Sequence, residues 1–381
     1  MANPTVTSAP RNWPTLLMFL LTGLAAVTLV PWYGIVHGYG VAAWIWFGVF
    51  LAANELSITC GYHRLFSHAT YRAHPVLRAI YIVFGAMALQ NSVLVWSAGH
   101  RAHHRFIDDV DQDPYSARRG LWFSHMGWMI RDYPSGIPDF SYVRDLERDP
   151  LVAWQHRHYL PLAIGLNVGL PALVGVFTGD IIGTMLLAGL LRLVLSHHLT
   201  FLINSAAHAF GSQPYTTDNS ARDNPLIAVL TFGEGYHNYH HQFPHDYRNG
   251  VRWWQWDPSK WLIWTTNKLG LAHDLKSVPW FRIHRAQLEA QFARAQQDLS
   301  TRTEVTQYAQ LRTRLAEEYA TFQDAISRWS ALRVQLQDHA VNNVSNRWER
   351  SIVRSRCREL ELMLKLQQRR MSVLRAELSS T

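Results

Sequence analysis

Four long apolar runs limit what this chain can fold into. They cover residues 14–36, 41–60, 159–178 and 181–203, and each has roughly the 20 residues that a helix needs to cross a bilayer. Backbone groups inside lipid have no water to bind, so runs of this kind form helices. Short links without Lys or Arg join the runs in pairs. The sequence therefore predicts an all-α integral membrane protein with four transmembrane helices in two hairpins.

Three histidine clusters lie just beyond these runs. The first has the spacing H-x4-H, and the second and third share H-x-x-H-H, with an Asn-x-x-x-His pair between them. On a helix, residues at i, i+3 and i+4 share a face, so each triplet can present three imidazoles to one point. Neutral imidazole suits iron, copper, zinc or nickel, and so many rings favour more than one ion. The residues are His63, His68, His100, His103, His104, Asn204, His208, His237, His240 and His241.

The order of runs and clusters predicts a topology. Each hairpin starts and ends on one side of the membrane, and Arg11, Arg64, Arg72 and Arg78 flank that side. The positive-inside rule makes it cytoplasmic. A fifth apolar run, residues 76–96, would separate the first cluster from the second if it crossed the membrane. We therefore predict an interfacial or re-entrant helix there, in a cytoplasmic helical cap, with every histidine cluster and both termini cytoplasmic.

The rest of the composition separates two domains. The net charge of +8 is compatible with nucleic acid, but the apolar runs make anionic lipid or an acidic redox protein the better match. Residues 281–381 contain no Gly or Pro, and their apolar residues recur at three-four spacing, with a polar break at Asn342 and Asn343. We predict a membrane domain at 1–280 and, at 281–381, a long hairpin or coiled coil of two helices that packs or forms homo-oligomers.

The donor set indicates the chemistry. Cysteine-rich sites favour zinc or iron–sulfur clusters, and carboxylate-rich sites favour hard cations or carboxylate-bridged di-iron, whereas the candidate ligands here are nearly all imidazoles. A histidine site beside a membrane, with room for two ions, points to non-haem iron that activates dioxygen. The matching substrate is a long acyl chain with unactivated C–H bonds.

The clusters also resemble a known family. The three histidine boxes, the stretch Asn-Ser-Ala-Ala-His at 204–208 and the run Trp-Phe-Ser-His-Met-Gly-Trp at 122–128 are similar to the membrane-bound delta-9 fatty acyl desaturases of the stearoyl-CoA type. The resemblance implies that the nine histidines named above bind two iron ions and that Asn204 reaches one of them through water. It also implies that dioxygen and two electrons remove two hydrogens from a kinked acyl chain, giving a cis double bond and water.

The same resemblance implies substrate contacts. Gln90, Asn91 and Trp96 match residues near the kink and the head of the acyl tunnel. Asn12 matches an asparagine that contacts the CoA moiety, and Arg131 matches a basic CoA contact. An acyl-CoA is therefore the expected substrate.

Two departures affect the carrier of the acyl chain. Ala98 and Gly99 stand where the animal enzymes have an Arg-Asp pair that binds CoA, and Asp132 replaces a basic residue. An acyl chain on acyl carrier protein or on a phospholipid is therefore the alternative to acyl-CoA. The sequence contains no His-Pro-Gly-Gly haem motif and no cysteine cluster. We expect a separate electron donor, such as a ferredoxin, a rubredoxin or a cytochrome b5-like protein.

Two other functions are compatible with histidine boxes. One is a hydroxylase of acyl chains or alkanes, which inserts oxygen instead of removing a second hydrogen, and the box spacing together with Asn-x-x-x-His favours the desaturase. The other is a non-catalytic membrane protein that binds or transports metal. Transport predicts ionisable residues throughout the spans, whereas the histidines here concentrate at the cytoplasmic ends.

Overall fold

The structure is a computed structural model that describes residues 9–300, 309–341 and 347–380. It divides the chain into two compact units. The first holds the chain up to Ser212 together with Asn219–Ser277, and the second holds Gln213–Asp218 together with the chain from Val278 onward.

The first unit is helical apart from two short strands. Its α-helices are α1 (Trp13–Val36), α2 (Val41–Leu56), α3 (Pro75–Ala86), α4 (Val93–Phe106), α5 (Arg144–Glu147), α6 (Pro150–Arg157), α7 (Tyr159–Ile164), α8 (Leu170–Thr178), α9 (Ile181–Thr184), α10 (Arg192–Asn204), α11 (Ala206–Ala209), α12 (Pro225–Leu230), α13 (His237–Gln242) and α14 (Pro258–Lys268). Wider π-helical turns occupy Ser57–Ser67, Phe123–Gly127, Gly165–Gly169 and Met185–Leu191, and tighter 3₁₀ turns occupy Ala117–Arg119, Pro134–Gly136 and Phe140–Val143. The strands β1 (Arg72–Ala73) and β2 (Ala272–His273) pair antiparallel.

Four continuous helices of this unit are long and apolar enough to cross a membrane. They are Trp13–Val36, Val41–Ser67, Tyr159–Thr178 and Ile181–Ala209. These ranges include all four predicted runs, and the expected all-α membrane architecture is confirmed. The second and fourth helices extend beyond the runs to Ser67 and Ala209, and the extensions carry His63 and His208.

The predicted helix at 76–96 is wrong in its length. The structure has two helices there, because α3 ends at Ala86 and α4 begins after Ser92. Leu89 and Asn91 between them have left-handed backbone angles (φ 53° and 74°), which end a helix, and the Ser92 hydroxyl accepts from Val95 N as an N-cap. With 12 residues, α3 is about 18 Å long, too short to cross a hydrocarbon core of about 30 Å.

A buried arginine of the fourth span holds this turn. The Arg192 guanidinium donates to Met87 O at 2.8 Å and to Asn167 Oδ1 at 2.7 Å. The buried His197 ring nitrogen Nε2 lies 2.9 Å from Ala88 O. Where α3 ends, the carbonyls of Met87 and Ala88 have no partner within the helix, and they accept from the fourth span instead. These bonds fix the turn at 87–92 against that span.

Close packing sets α3 against the end of the second span. An added Cβ at Gly61 would lie 2.6 Å from Tyr81 Cβ, and one at Gly85 would overlap the Tyr62 ring. Only glycine fits at both positions. Tyr62 and Tyr81 are buried, and their rings fill the core below the histidine-bearing helices.

The described residues of the second unit form three helical segments. They are α15 (Trp280–Ser300), α16 (Ala309–Val341) and α17 (Arg347–Ser380). The stretch between α15 and α16 lies outside the described residues. The predicted break at Asn342 and Asn343 lies outside the described residues. The core of this unit contains Phe281, Leu288, Phe292, Leu315, Phe322, Leu364, Met371 and Leu374.

Candidate metal centre

The first histidine box depends on a π-helical segment. His63 lies in Ser57–Ser67 and His68 follows directly, with His68 N bonded to His63 O. In an α-helix, residues five apart point about 140° away from each other. The i→i+5 bond of a π-helix instead brings them to nearly the same face, and the two ring centroids lie 4.9 Å apart.

The other boxes lie on helices, as their spacing predicts. The second box is in the last two turns of α4, and the third opens the short helix α13. Asn204 is the last residue of α10 and His208 lies in α11, with Ser205 between the helices. The continuous fourth helix therefore changes its hydrogen-bond pattern at Ser205, between Asn204 and His208.

All nine predicted histidines come together at one place. Their ring nitrogens form two groups, and within each group the candidate ligand atoms lie within 4.8 Å of one another. The five-histidine group contains His63, His68, His100, His104 and His240, and the four-histidine group contains His103, His208, His237 and His241.

Distances between the ring nitrogens match the coordination sphere of a metal. Nε2 atoms are separated by 3.3 Å from His103 to His241, 3.1 Å from His241 to His237, and 3.1 Å from His237 to His208. Each Nε2 carries at most one proton, so no choice of tautomers makes hydrogen bonds of all three contacts. Nitrogens about 2.1 Å from a shared metal would be about 3.0 Å apart at right angles. The residues therefore fit a metal ion.

Burial favours the neutral form of most of these rings. It lowers the pKa of His68, His100, His104, His237, His240 and His241 well below the ordinary value, and the neighbouring imidazoles lower the pKa further. A neutral imidazole offers a lone pair to a metal, whereas a protonated one does not.

Carboxylates orient some of these rings from outside. His63 Nδ1 lies 2.8 Å from Glu234 Oε2, and His103 Nδ1 lies 2.9 Å from Asp113 Oδ1. Burial raises the pKa of Glu234, but the charge of Arg64 and the hydrogen bonds from His63 and Arg64 lower it to about 2 overall. A carboxylate on Nδ1 leaves Nε2 free for a metal and increases its basicity. Sequence reasoning missed both acids, which stand outside the boxes.

Hydroxyl groups orient two more rings. His208 Nδ1 lies 2.8 Å from Ser220 Oγ, and Ser220 in turn donates to the buried Asp108. His100 Nδ1 lies 3.3 Å from the Tyr115 hydroxyl. These partners also come from outside the boxes, and only the fold brings them to the rings.

A cavity of about 1000 Å³ opens onto the histidines. Its wall includes His63, His100, His103 and His237, together with Asn204. The predicted substrate residues Asn12, Gln90, Asn91, Trp96 and Arg131 all line the same cavity.

A bonded triad forms part of the wall next to the five-histidine group. The Trp96 indole stacks on His100, with ring centroids 4.9 Å apart, and Trp96 Nε1 donates to Gln90 Oε1. Gln90 Nε2 donates to Thr200 Oγ1 at 2.9 Å. Sequence reasoning did not identify Thr200 of the fourth span, because it lies 110 residues from Gln90.

Asn12 and Arg131 hold the wall of the cavity as well as lining it. Asn12 Nδ2 donates to Asp132 Oδ1 at 2.8 Å, and Arg131 Nη1 donates to Ala9 O at 2.6 Å. Gly99 also lines the cavity, and a Cβ added there would meet no atom within 4 Å. Because glycine has no side chain, the cavity has open space beside position 99.

Comparison with known proteins is consistent with this site. A family model described as fatty acid desaturase matches residues 39–299. Acyl-CoA desaturase 1 of Saccharomyces cerevisiae is 40% identical over 282 residues, 73% of this chain and 54% of the yeast protein. A probable acyl-CoA desaturase of Schizosaccharomyces pombe is 46% identical over 232 residues, 61% of this chain and 48% of that protein. The human stearoyl-CoA desaturase is 37% identical over 281 residues, 72% of this chain and 76% of the human protein. The chain thus spans about half the length of the two yeast relatives.

Proposed function

Because the chain belongs to the fatty acid desaturase family, we propose that it is an O2-dependent fatty acyl desaturase. It forms a cis double bond, at delta-9, in a saturated long-chain acyl group carried by CoA. The observation that carries this proposal is the convergence of nine imidazoles in two groups, four of which line a cavity of about 1000 Å³. That volume is at the upper end of ordinary ligand pockets and suits a long chain.

Two iron ions are the proposed cofactor. The five-histidine group would hold one, and the four-histidine group would hold the other with Asn204 acting through a water molecule. Asn204 lines the cavity with His103 and His237, which supports this assignment. Bound iron supplies the dioxygen chemistry that oxidises an unactivated C–H bond, which acidic and basic side chains cannot do.

The protein itself positions the acyl chain. Trp96, Gln90 and Thr200 form a bonded wall against His100, so the methylene groups that pass this wall are the ones presented to the metal centre. Asn91 is held there because its backbone N–H donates to the Tyr159 hydroxyl at 2.9 Å. Asn12 and Arg131 are the proposed contacts of the CoA moiety. The names of the relatives support CoA as the carrier.

The chain needs an electron donor and a membrane. The proposed donor is a separate redox protein, such as a ferredoxin, a rubredoxin or a cytochrome b5-like protein. Arg64, Arg72 and Arg78 support a cytoplasmic active site, and Arg11 supports a cytoplasmic N-terminus.

The proposed domains are the membrane desaturase domain at 1–280 and the helical extension at 281–381. We also propose that the extension forms homo-oligomers. Leu362, Leu366 and Val373 of α17 support this, because they recur at three-four spacing and are all more than half exposed.

A product assay tests the proposed activity. The iron-loaded protein in lipid nanodiscs receives stearoyl-CoA and a reduced ferredoxin, and mass spectrometry should show loss of two hydrogens. A hydroxylated product without that loss would contradict the desaturase and support a hydroxylase. His104→Ala should abolish turnover, whereas His273→Ala, an exposed histidine outside the boxes, should leave it unchanged. Stearoyl groups on acyl carrier protein or phospholipid, offered in parallel, identify the carrier.

A further inference from the structure

Large apolar side chains are exposed in the two stretches of chain that precede and follow the third histidine box. Trp253 is 84% exposed and Leu226 is 70% exposed. Soluble surfaces rarely carry large apolar patches, and such patches mark sites of interaction. We define six residues as the collar: Leu226 and Val229 of α12, Trp253 and Trp254 of the loop before α14, and Trp261 and Trp264 of α14.

Helix α14 carries indoles on the face that a helix in water keeps polar. It buries Ile263, but it also buries Ser259, Lys260 and Thr266, and it exposes Trp261 and Trp264. A surface helix in water places its polar face outward and its indoles in the core. The inverted pattern is expected where the outer surface meets an apolar surrounding.

The buried polar groups of α14 are satisfied by hydrogen bonds, so the inversion is built into the fold. Ser259 Oγ and Thr59 Oγ1 lie 2.6 Å apart. Lys260 Nζ donates to the carbonyls of Gly250 and Arg252, each at 2.6 Å. A buried ammonium is tolerated when carbonyl oxygens surround it in this way.

The contact with Thr59 also gives the depth of α14. Thr59 is 18 residues beyond Val41, where the second span begins, and at 1.5 Å per residue that is about 27 Å. A hydrocarbon core is about 30 Å thick. Ser259 therefore lies at the level where the second span leaves the hydrocarbon.

Helix α12 lies beside the same boundary. It packs against α10, the last long segment of the fourth span. Ser259 Oγ donates to Phe232 O, two residues beyond the end of α12, at 2.9 Å. Helix α12, which carries Leu226 and Val229, thus packs against a span and is followed by a residue bonded to the start of α14.

Charge on this surface has one sign. Between residues 250 and 271 the only acidic residue is Asp257, which is buried, whereas Arg252 and Lys268 are exposed. Lys268 Nζ lies 5.3 Å from the centre of the Trp264 ring. Tryptophan together with Lys and Arg is the composition that proteins place at a membrane surface, beside anionic headgroups.

We propose that the collar lies in the headgroup layer of the bilayer that the four helices cross and anchors the helical cap at a fixed depth. The anchor connects to the metal centre through Asp257, which precedes α14. Asp257 accepts from Arg64 at 3.1 Å, and Arg64 donates to Glu234, the partner of His63. The collar requires only that the four helices span a bilayer, and it does not depend on the proposed reaction.

Spin-label accessibility tests this anchor in the full-length protein. In a Cys357→Ser background, which keeps the buried Cys60, a nitroxide is placed at Trp261→Cys, Val229→Cys or Thr265→Cys. Thr265 is exposed on α14, and its replacement keeps every tryptophan, so the test survives if a tryptophan variant fails to fold. The protein is in nanodiscs that contain anionic lipid. The control is Val110→Cys, an exposed position between Asp109 and Asp111.

Collision rates with oxygen, which partitions into lipid, and with a water-soluble nickel chelate decide the outcome. The oxygen-to-nickel ratio should be several-fold higher at the two labelled collar positions and at Thr265→Cys than at Val110→Cys. A ratio equal to that of the control would overturn the proposal. Protection that appears only after a ferredoxin or a rubredoxin is added would also overturn it, and would identify a docking face for a redox protein.

Discussion

Glu234→Gln should weaken metal binding in the five-histidine group while the protein stays folded. Oε2 of Glu234 lies 2.8 Å from His63 Nδ1 and accepts from Asn249 at 2.7 Å, and Oε1 accepts twice from Arg64. Glutamine has the same shape but replaces one of these oxygens by a donor. Either His63 and Asn249 or the two donating nitrogens of Arg64 then face an NH2 group, depending on which oxygen is replaced. The buried Arg64 also loses one of its two carboxylate partners.

The size of the effect follows from these contacts. Breaking a buried charge pair by removing one partner costs about 3–5 kcal/mol. Loss of the group that orients a ligating histidine typically weakens metal affinity about 10–100-fold. Iron retention against a competing chelator, measured by elemental mass spectrometry, should fall by that factor for one of the two ions, and thermal unfolding should occur at a lower temperature.

Two matched variants decide whether orientation of His63 is the cause. Glu55→Gln changes another buried glutamate, but one that accepts from Asn54 rather than from a histidine, and it should retain both ions. Asp113→Asn should instead weaken the four-histidine group, because its partner is His103. If Glu234→Gln retained both ions as tightly as the parent protein, the orienting role would be refuted.

Three further outcomes can be measured. Thr200→Val removes the acceptor of Gln90, at a cost of about 1 kcal/mol, so products with the double bond at neighbouring carbons should rise about fivefold in mass-spectrometric analysis. Burial raises the pKa of Asp223 from 3.8 to about 7. The protonated carboxyl therefore contributes its full stability below pH 4, and this contribution is lost as the pH rises through 7. Between pH 5.5 and 8.5 the unfolding temperature should fall further for the parent protein than for Asp223→Asn. Leu364→Ala opens a cavity in the core of the second unit and should cost about 2–5 kcal/mol of unfolding free energy, whereas Lys365→Ala, at an exposed site of the same helix, should change stability by less than about 0.5 kcal/mol. Hydrogen exchange of α15 to α17 measures both.

Local patterns in the sequence predict the spans and the histidine boxes. Lipid leaves few conformations to an apolar run, and the spacing H-x-x-H-H already defines a face of a helix. The π-helical turn that brings His63 and His68 together is not visible in this way, and neither is the close packing of its Gly61 on Tyr81 of another helix. The place of Thr200 in the cavity wall is also not visible, because it depends on a contact with Gln90, far away in the chain.

The turn at 87–92 shows the same limit. Residues 76–96 read as one apolar helix, but Arg192 of the fourth span takes the carbonyl of Met87 and fixes the end of α3. A pattern within one segment cannot report a partner 105 residues away.

That bond also orders the biogenesis of the protein. The second histidine box lies on α4, and α4 follows a turn that Arg192 and His197 hold. A nascent chain exposes the first and second boxes long before Arg192 has left the ribosome, and His208 and the third box are made later still. The cap can therefore close only after the fourth helix has entered the membrane, and until then the first two boxes lack the ligands that the later part of the chain supplies. Folding of this protein thus depends on complete membrane insertion, and a chain that stalls in the translocon after the third helix would have no assembled site.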